Sequence, residues 1–187
     1  CDAGKRSAAA QPSCEPCVAG RFSAAAMAAC SECADGRYSK AASGECTACA
    51  EGKYGKLGVD QTSAGYCAEC GVGEYQNVAG RTDCERCVAG RFGLGGSRTT
   101  ACSGSCASGT YSLASSSECT ACEVGKYGNS SMASESESHC AACEAGKKQP
   151  LVAMTFCEVC EGGKYQSNRS ALVCTSCARG KYSGASA

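Results

Sequence analysis

The sequence predicts a small disulfide-rich fold: an elongated linear array of short, irregular β-hairpin repeats with no common hydrophobic core. Three observations predict it. The chain carries 21 cysteines in 187 residues, a density typical of a disulfide scaffold in an oxidising compartment. It has five Leu, nine Val, three Phe and no Ile or Trp. Leu, Ile, Val and Phe thus make up about 9% of the chain, below the ~20% under which a conventional core fails. Finally, the cysteines recur in pairs, and each pair is followed by the same short motif. A chain this poor in aliphatic side chains folds only if cross-links replace the missing core.

Internal repetition sets the organisation. The pairs are Cys14/Cys17, Cys30/Cys33, Cys46/Cys49, Cys67/Cys70, Cys84/Cys87, Cys102/Cys106, Cys119/Cys122, Cys140/Cys143, Cys157/Cys160 and Cys174/Cys177. All are C-x-x-C except Cys102/Cys106, which has one extra residue. The second cysteine opens a C-x-x-G-x-aromatic motif whose aromatics are Phe22, Tyr38, Tyr54, Tyr75, Phe92, Tyr111, Tyr127, Tyr165 and Tyr182. Arg6 and Lys148 stand at that position in the other two repeats. The repeats read as 1–16 (partial), 17–32, 33–48, 49–69, 70–86, 87–105, 106–121, 122–142, 143–159, 160–176 and 177–187 (partial).

Each repeat reads in order as follows. The second cysteine starts a short extended segment. The glycine supplies a positive φ or a close backbone approach, expected against a disulfide. The aromatic covers a sulfur bridge and provides the one sizeable apolar contact. A Ser/Ala/Gly-rich turn, such as Ser43-Gly44-Glu45 or Val78-Ala79-Gly80, returns the chain to the next cysteine. The alanines of Ala24 to Ala29 are too few for a stable isolated helix and read as loop. A longer period is superimposed. Glu45-Cys46-Thr47-Ala48-Cys49 recurs as Glu118-Cys119-Thr120-Ala121-Cys122, 73 positions on, so four repeats form a higher-order unit.

Sequence alone does not fix the cysteine pairing. The arrangement expected joins the second cysteine of each pair to the first of the next: Cys1–Cys14, Cys17–Cys30, Cys33–Cys46, Cys49–Cys67, Cys70–Cys84, Cys87–Cys102, Cys106–Cys119, Cys122–Cys140, Cys143–Cys157 and Cys160–Cys174. Cys177 is then unpaired, its partner expected beyond Ala187, with both ends cut inside a repeat. Each such loop is worth about 3 kcal/mol in the chain-entropy account. Zinc is the alternative, because C-x-x-C…C-x-x-C is also zinc-finger spacing. Against it, the cysteines do not group in fours and the chain has a single histidine, His139. His139 lies on a polar Ser/Glu loop and reads as a solvated side chain.

The C-x-x-C-x-x-G-x-[YF]…C unit resembles the cysteine-rich repeat of the ephrin-receptor-like family. It is also similar to the first half-module of tumour necrosis factor receptor cysteine-rich domains. In that half-module the first cysteine bonds to the one about 14 residues on, so the resemblance implies the pairing given above. The receptor domains interleave a second module, whereas here one unit repeats without interruption. Such arrays resemble segments of large secreted proteins of single-celled eukaryotes, including surface and flagellar-hair proteins.

Several functions are not supported. The formal net charge is zero, which gives no electrostatic case for nucleic acid or an anionic membrane. No apolar run approaches the length of a membrane span. The one histidine has no orienting acid in a packed site, and Glu135 and Glu137 read as a solvated run. No cofactor is implied and the chain is not expected to be an enzyme. Asn129-Ser130-Ser131 and Asn168-Arg169-Ser170 are N-glycosylation sequons in turns. Lys147-Lys148, where the aromatic is lost, reads as a bend or docking point, or as a tolerated change with Phe156 filling in. The expected function is an extracellular structural rod, spacer or filament component. A ligand-binding or adhesive receptor ectodomain is the alternative, and a zinc-binding repeat protein a lesser one. Expected partners are proteins, through self-assembly or as neighbouring subunits of a fibre or surface layer, with glycans possible. At roughly 10–17 Å per short strand-length unit, eleven repeats would span about 100–190 Å.

Overall fold

The structure, a computed structural model, describes residues 1–7, 13–96 and 101–184. Ten disulfides link Cys1–Cys14, Cys17–Cys30, Cys33–Cys46, Cys49–Cys67, Cys70–Cys84, Cys87–Cys102, Cys106–Cys119, Cys122–Cys140, Cys143–Cys157 and Cys160–Cys174. Cys177 is a free, half-buried thiol. Each bridge closes one two-stranded antiparallel hairpin, such as Arg21–Phe22 with Ser31–Glu32, or Lys164–Tyr165 with Thr175–Ser176. The strands are two or three residues long, and no described hairpin joins a larger sheet. Ordinary cooperative sheet formation cannot hold ribbons this short. The cross-link that ends each one does so.

The molecule divides into two compact bodies. The first is Cys1–Arg86 with Gly95–Ala101, and the second is Cys87–Leu94 with Cys102–Ala187. Within each, the buried apolar set is almost entirely the bridged cysteines, joined in the first body by Tyr66. In most bridges the leading cysteine of the module, the one that opens its C-x-x-G, is the more buried partner: Cys17, Cys49, Cys87, Cys122, Cys143 and Cys160 are at most 1% exposed. Half-cystine sulfur thus takes the place of hydrocarbon.

Modules are tied to their neighbours by a recurring set of backbone hydrogen bonds. The glycine three residues past the leading cysteine donates its N–H to the carbonyl of the residue six past the next leading cysteine: Gly4 to Ser23, Gly20 to Ser39, Gly125 to Gln149 and Gly146 to Gln166, at 2.7–2.9 Å. The same glycine's carbonyl accepts from the next leading cysteine, as Gly4 does from Cys17 and Gly109 from Cys122, both at 2.8 Å. A loop residue with positive φ then donates to the leading cysteine's carbonyl one module back. Ala42 does so to Cys17 and Gly80 to Cys49, both at 2.8 Å, and Ala153 to Cys122 at 2.9 Å. The loop residue also closes over the glycine two modules back, so that a Cβ at Gly109 (φ +85) would strike the carbonyl of Ala153. The close approach expected of this glycine is therefore to a backbone carbonyl, not to a disulfide. A carbonyl needs a donor and leaves no room for a side chain.

Candidate functional site

The geometry concentrates at the module junction, and its polar centre is the sixth residue past each leading cysteine. This position is Ser23, Ser39, Gln76, Ser112 or Gln149, all buried. The serines reach back: Ser23 Oγ donates to Lys5 O at 2.8 Å, Ser39 Oγ to Arg21 O at 2.9 Å and Ser112 Oγ to Arg91 O at 3.0 Å. The glutamines staple their own loop. Gln149 Nε2 donates to Phe156 O at 2.7 Å while Gln149 Oε1 accepts the Leu151 N–H at 3.0 Å. Gln76 and Gln166 repeat the pattern. Either chemistry satisfies carbonyls that an apolar residue would leave unpaired. Sequence reasoning missed this position. The signal was present, since the motif extends to C-x-x-G-x-[YF]-[SQG].

The two long modules solve the junction differently. Their sixth residues are Gly55 and Gly128, and each long loop turns through a 3₁₀ segment, Ala64–Tyr66 or Glu137–His139. The last residue of each segment folds inward over the glycine. Tyr66 is 2% exposed and its hydroxyl accepts the Gly36 N–H at 3.0 Å, in place of the sixth-position carbonyl used at the other junctions. His139 occupies the same place and is also 2% exposed. This corrects the expectation of a solvated histidine. The polar loop around it is exposed, but the 3₁₀ turn carries its third residue under the hairpin. Nδ1 of His139 lies 3.0 Å from the carbonyl of Met132.

The expected aromatics are placed less deeply than anticipated. Phe22, Tyr38, Tyr54, Tyr75, Phe92, Tyr111 and Tyr127 are half-buried, and Tyr165 and Tyr182 are exposed. All but Tyr182 lie in the first strand of a hairpin, opposite the residue that follows the returning cysteine or one close by, as Tyr38 faces Thr47. Tyr75 donates its hydroxyl hydrogen to Glu85 Oε2 at 2.6 Å. Lys147–Lys148 forms an ordinary strand paired with Glu158–Val159, and Lys148 Nζ meets Glu158 Oε2 at 2.9 Å. Phe156 is 55% exposed, so it does not fill the place of the lost aromatic, because the ion pair spans the hairpin instead. Ala24 to Ala29 is loop, with Ala26 at φ 64.

Charge is distributed along the hairpins as pairs, including the cross-strand Arg6–Glu15 at 2.9 Å and Lys126 with Glu137 of the 3₁₀ turn at 2.8 Å. The hydrogen bond and charge of Lys126 hold the Glu137 carboxyl below the usual carboxylate range, and Glu137 in turn raises the Lys126 ammonium. Lys164 lowers Glu161 in the same way. An open cleft of about 300 Å³ is lined by Lys148, Glu158, Val159, Glu161, Lys164, Val173 and Cys174. Its charges are matched in Lys148–Glu158 and Lys164–Glu161 pairs, so no uncompensated group converges on a ligand there. Of the sequon asparagines, Asn168 is exposed. Asn129 is half-buried and its Oδ1 accepts the Ser131 N–H at 3.0 Å. No helix among the described residues is long and apolar enough to cross a membrane.

No curated protein matches the chain. Residues 58–105, which run from the first long module into the Cys87–Cys102 loop, match the family model described as tyrosine-protein kinase ephrin type A/B receptor-like. The matched family is a non-catalytic, extracellular type of cysteine-rich module, and the ten serial disulfides accord with an oxidising, extracellular setting.

Proposed function

We propose that this chain is a stretch of an extracellular structural rod, spacer or filament component, of the cell-surface-fibre or flagellar-hair-like kind, with repeats bounded as read from the cysteine spacing. The observation that supports this reading most is the recurring junction. The same backbone bonds tie module to module within each body, and the charged groups along the hairpins are largely matched in pairs. A chain locked every 13 to 18 residues transmits tension through covalent loops and short ladders, and offers a protease few open segments. Its partners are further protein subunits. Asn129 and Asn168 are proposed to carry N-linked glycans on the outer loops.

The test is localisation and assembly. Antibodies against residues 1–187 should decorate fibres or a surface layer of the source cell, and the protein should sediment with the fibres after detergent extraction. Recovery only as a monodisperse soluble or membrane-anchored protein would overturn the reading. A second reading, a ligand-binding or adhesive ectodomain, is favoured by the receptor-like match over residues 58–105. It predicts saturable binding of the soluble segment to intact cells, which a structural spacer lacks.

A further inference from the structure

The two long modules pose one problem and answer it with different side chains. In the first body, Tyr66 Oη accepts the Gly36 N–H at 3.0 Å, also lies 3.4 Å from Gln61 Nε2, and packs on Gly55. In the second body, 73 positions on, the equivalents are Gly109, His139 and Gly128. A Cβ on Gly128 would meet both the Gly109 nitrogen and His139 Nε2, so the two nitrogens crowd one point. The Gly109 N–H finds no carbonyl among the described residues. His139 Nε2 is buried with no hydrogen-bond partner.

These contacts specify the state of the ring. The Met132 carbonyl, 3.0 Å from Nδ1, can only accept, so Nδ1 carries the hydrogen. Nε2 is buried beside the Gly109 nitrogen with no acceptor in reach among the described residues, so nothing there stabilises a hydrogen on Nε2. The neutral Nδ1–H imidazole alone fits. Adding a proton at Nε2 buries a donor without an acceptor, and leaves a charge without a counter-ion. We propose that the junction between the Cys106–Cys119 and Cys122–Cys140 modules is an acid-sensitive joint, opened by protonation of His139, while its Tyr66 counterpart stays closed.

Charged groups on the elements around His139 do not supply another cause. Glu137 on its own turn and Lys126 and Glu123 on the facing strand and its turn are paired to one another, at 2.8 and 3.6 Å. Lys126 holds Glu137 ionised below the usual carboxylate range. The neighbouring strand Thr110–Tyr111 contributes only the Tyr111 phenol, and Cys140–Ala142 contributes no titratable group. Histidine is the side chain whose ordinary titration falls between about pH 5 and 8.

The test compares matched amides in one molecule by NMR hydrogen exchange, corrected for intrinsic rates, at about pH 7.5 and about pH 5. Gly128 N–H, bonded to Met154 O at 2.7 Å, and Asn129 N–H, bonded to His139 O at 2.9 Å, report the histidine joint. Gly55 N–H, bonded to Arg81 O at 2.8 Å, and Lys56 N–H, bonded to Tyr66 O at 3.2 Å, report the tyrosine joint. Acid should lower protection about tenfold at the first pair, the scale of one unsatisfied buried group, and leave the second unchanged. His139→Tyr should abolish the response, and Tyr66→His should transfer one to Gly55 and Lys56. Equal acid responses at both joints, or a response that survives His139→Tyr, would overturn the proposal. If His139→Tyr does not fold, the absence of a new response in Tyr66→His overturns it equally.

Discussion

Gly109 and Gly163 share a backbone conformation, at φ +85 and +80, but not surroundings. A Cβ on Gly109 would run into the Ala153 carbonyl, whereas one on Gly163 meets nothing within 4 Å among the described residues. Alanine at 163 should therefore cost only the left-handed strain, about 1–2 kcal/mol. Alanine at 109 should cost that plus the displacement of a loop, a further ~1–3 kcal/mol. Denaturant melts of the two variants, each with its disulfides intact, measure the difference. Equal losses would mean that the loop does not clamp the glycine. The sequence made this glycine legible because it recurs in every repeat. The sixth position was not read, although its Ser/Gln/Gly restriction is equally periodic, because serine and glutamine near a turn pass for solvated residues. His139 was misread for the same reason. What buries it is a 3₁₀ turn three residues long, which leaves no hydrophobic period in the sequence.

At the scale of the element, a hairpin of two-residue strands has no alternation long enough to detect. The cysteine spacing located the hairpins instead, since two half-cystines 13 to 18 residues apart can meet only if the chain between them turns back. Spacing therefore conveys the fold class but says nothing of the bonds between modules, which are made by backbone groups common to every sequence. Those bonds set the reach of a local lesion. Replacing Cys49 and Cys67 together by serine removes a bridge worth about 2–5 kcal/mol. It should free the amides of residues 49–69. It should also release the Gly80 N–H, which is held by the Cys49 carbonyl at 2.8 Å. Among the described residues, the Cys1–Cys14 hairpin makes no hydrogen bond to the lost module, and it should keep its protection. Amide exchange mapped by mass spectrometry distinguishes this from a global melt, in which that hairpin would exchange too.

Across the whole molecule, stability rests on sulfur bridges to a degree unusual for a chain of 187 residues. Apart from Tyr66, the described buried apolar residues are all cysteines, while Val18, Leu57, Val72, Val88, Leu113 and Val173 are 60–67% exposed. A conventional domain reduced to free thiols keeps its hydrocarbon interior and often its fold. Here each bridge is worth about 3 kcal/mol, and a typical domain has only about 5–15 kcal/mol in total. Reduction by a phosphine at neutral pH without denaturant should therefore collapse the amide chemical-shift dispersion of the chain. Because the junctions couple neighbours rather than a shared core, loss of structure should follow the number of alkylated thiols gradually. Mass spectrometry of quenched samples, paired with circular dichroism, reads both quantities. If structure survives until the last bridges open, then packing outside the cysteines carries the fold. If all ten open in one step, coupling extends far beyond adjacent modules.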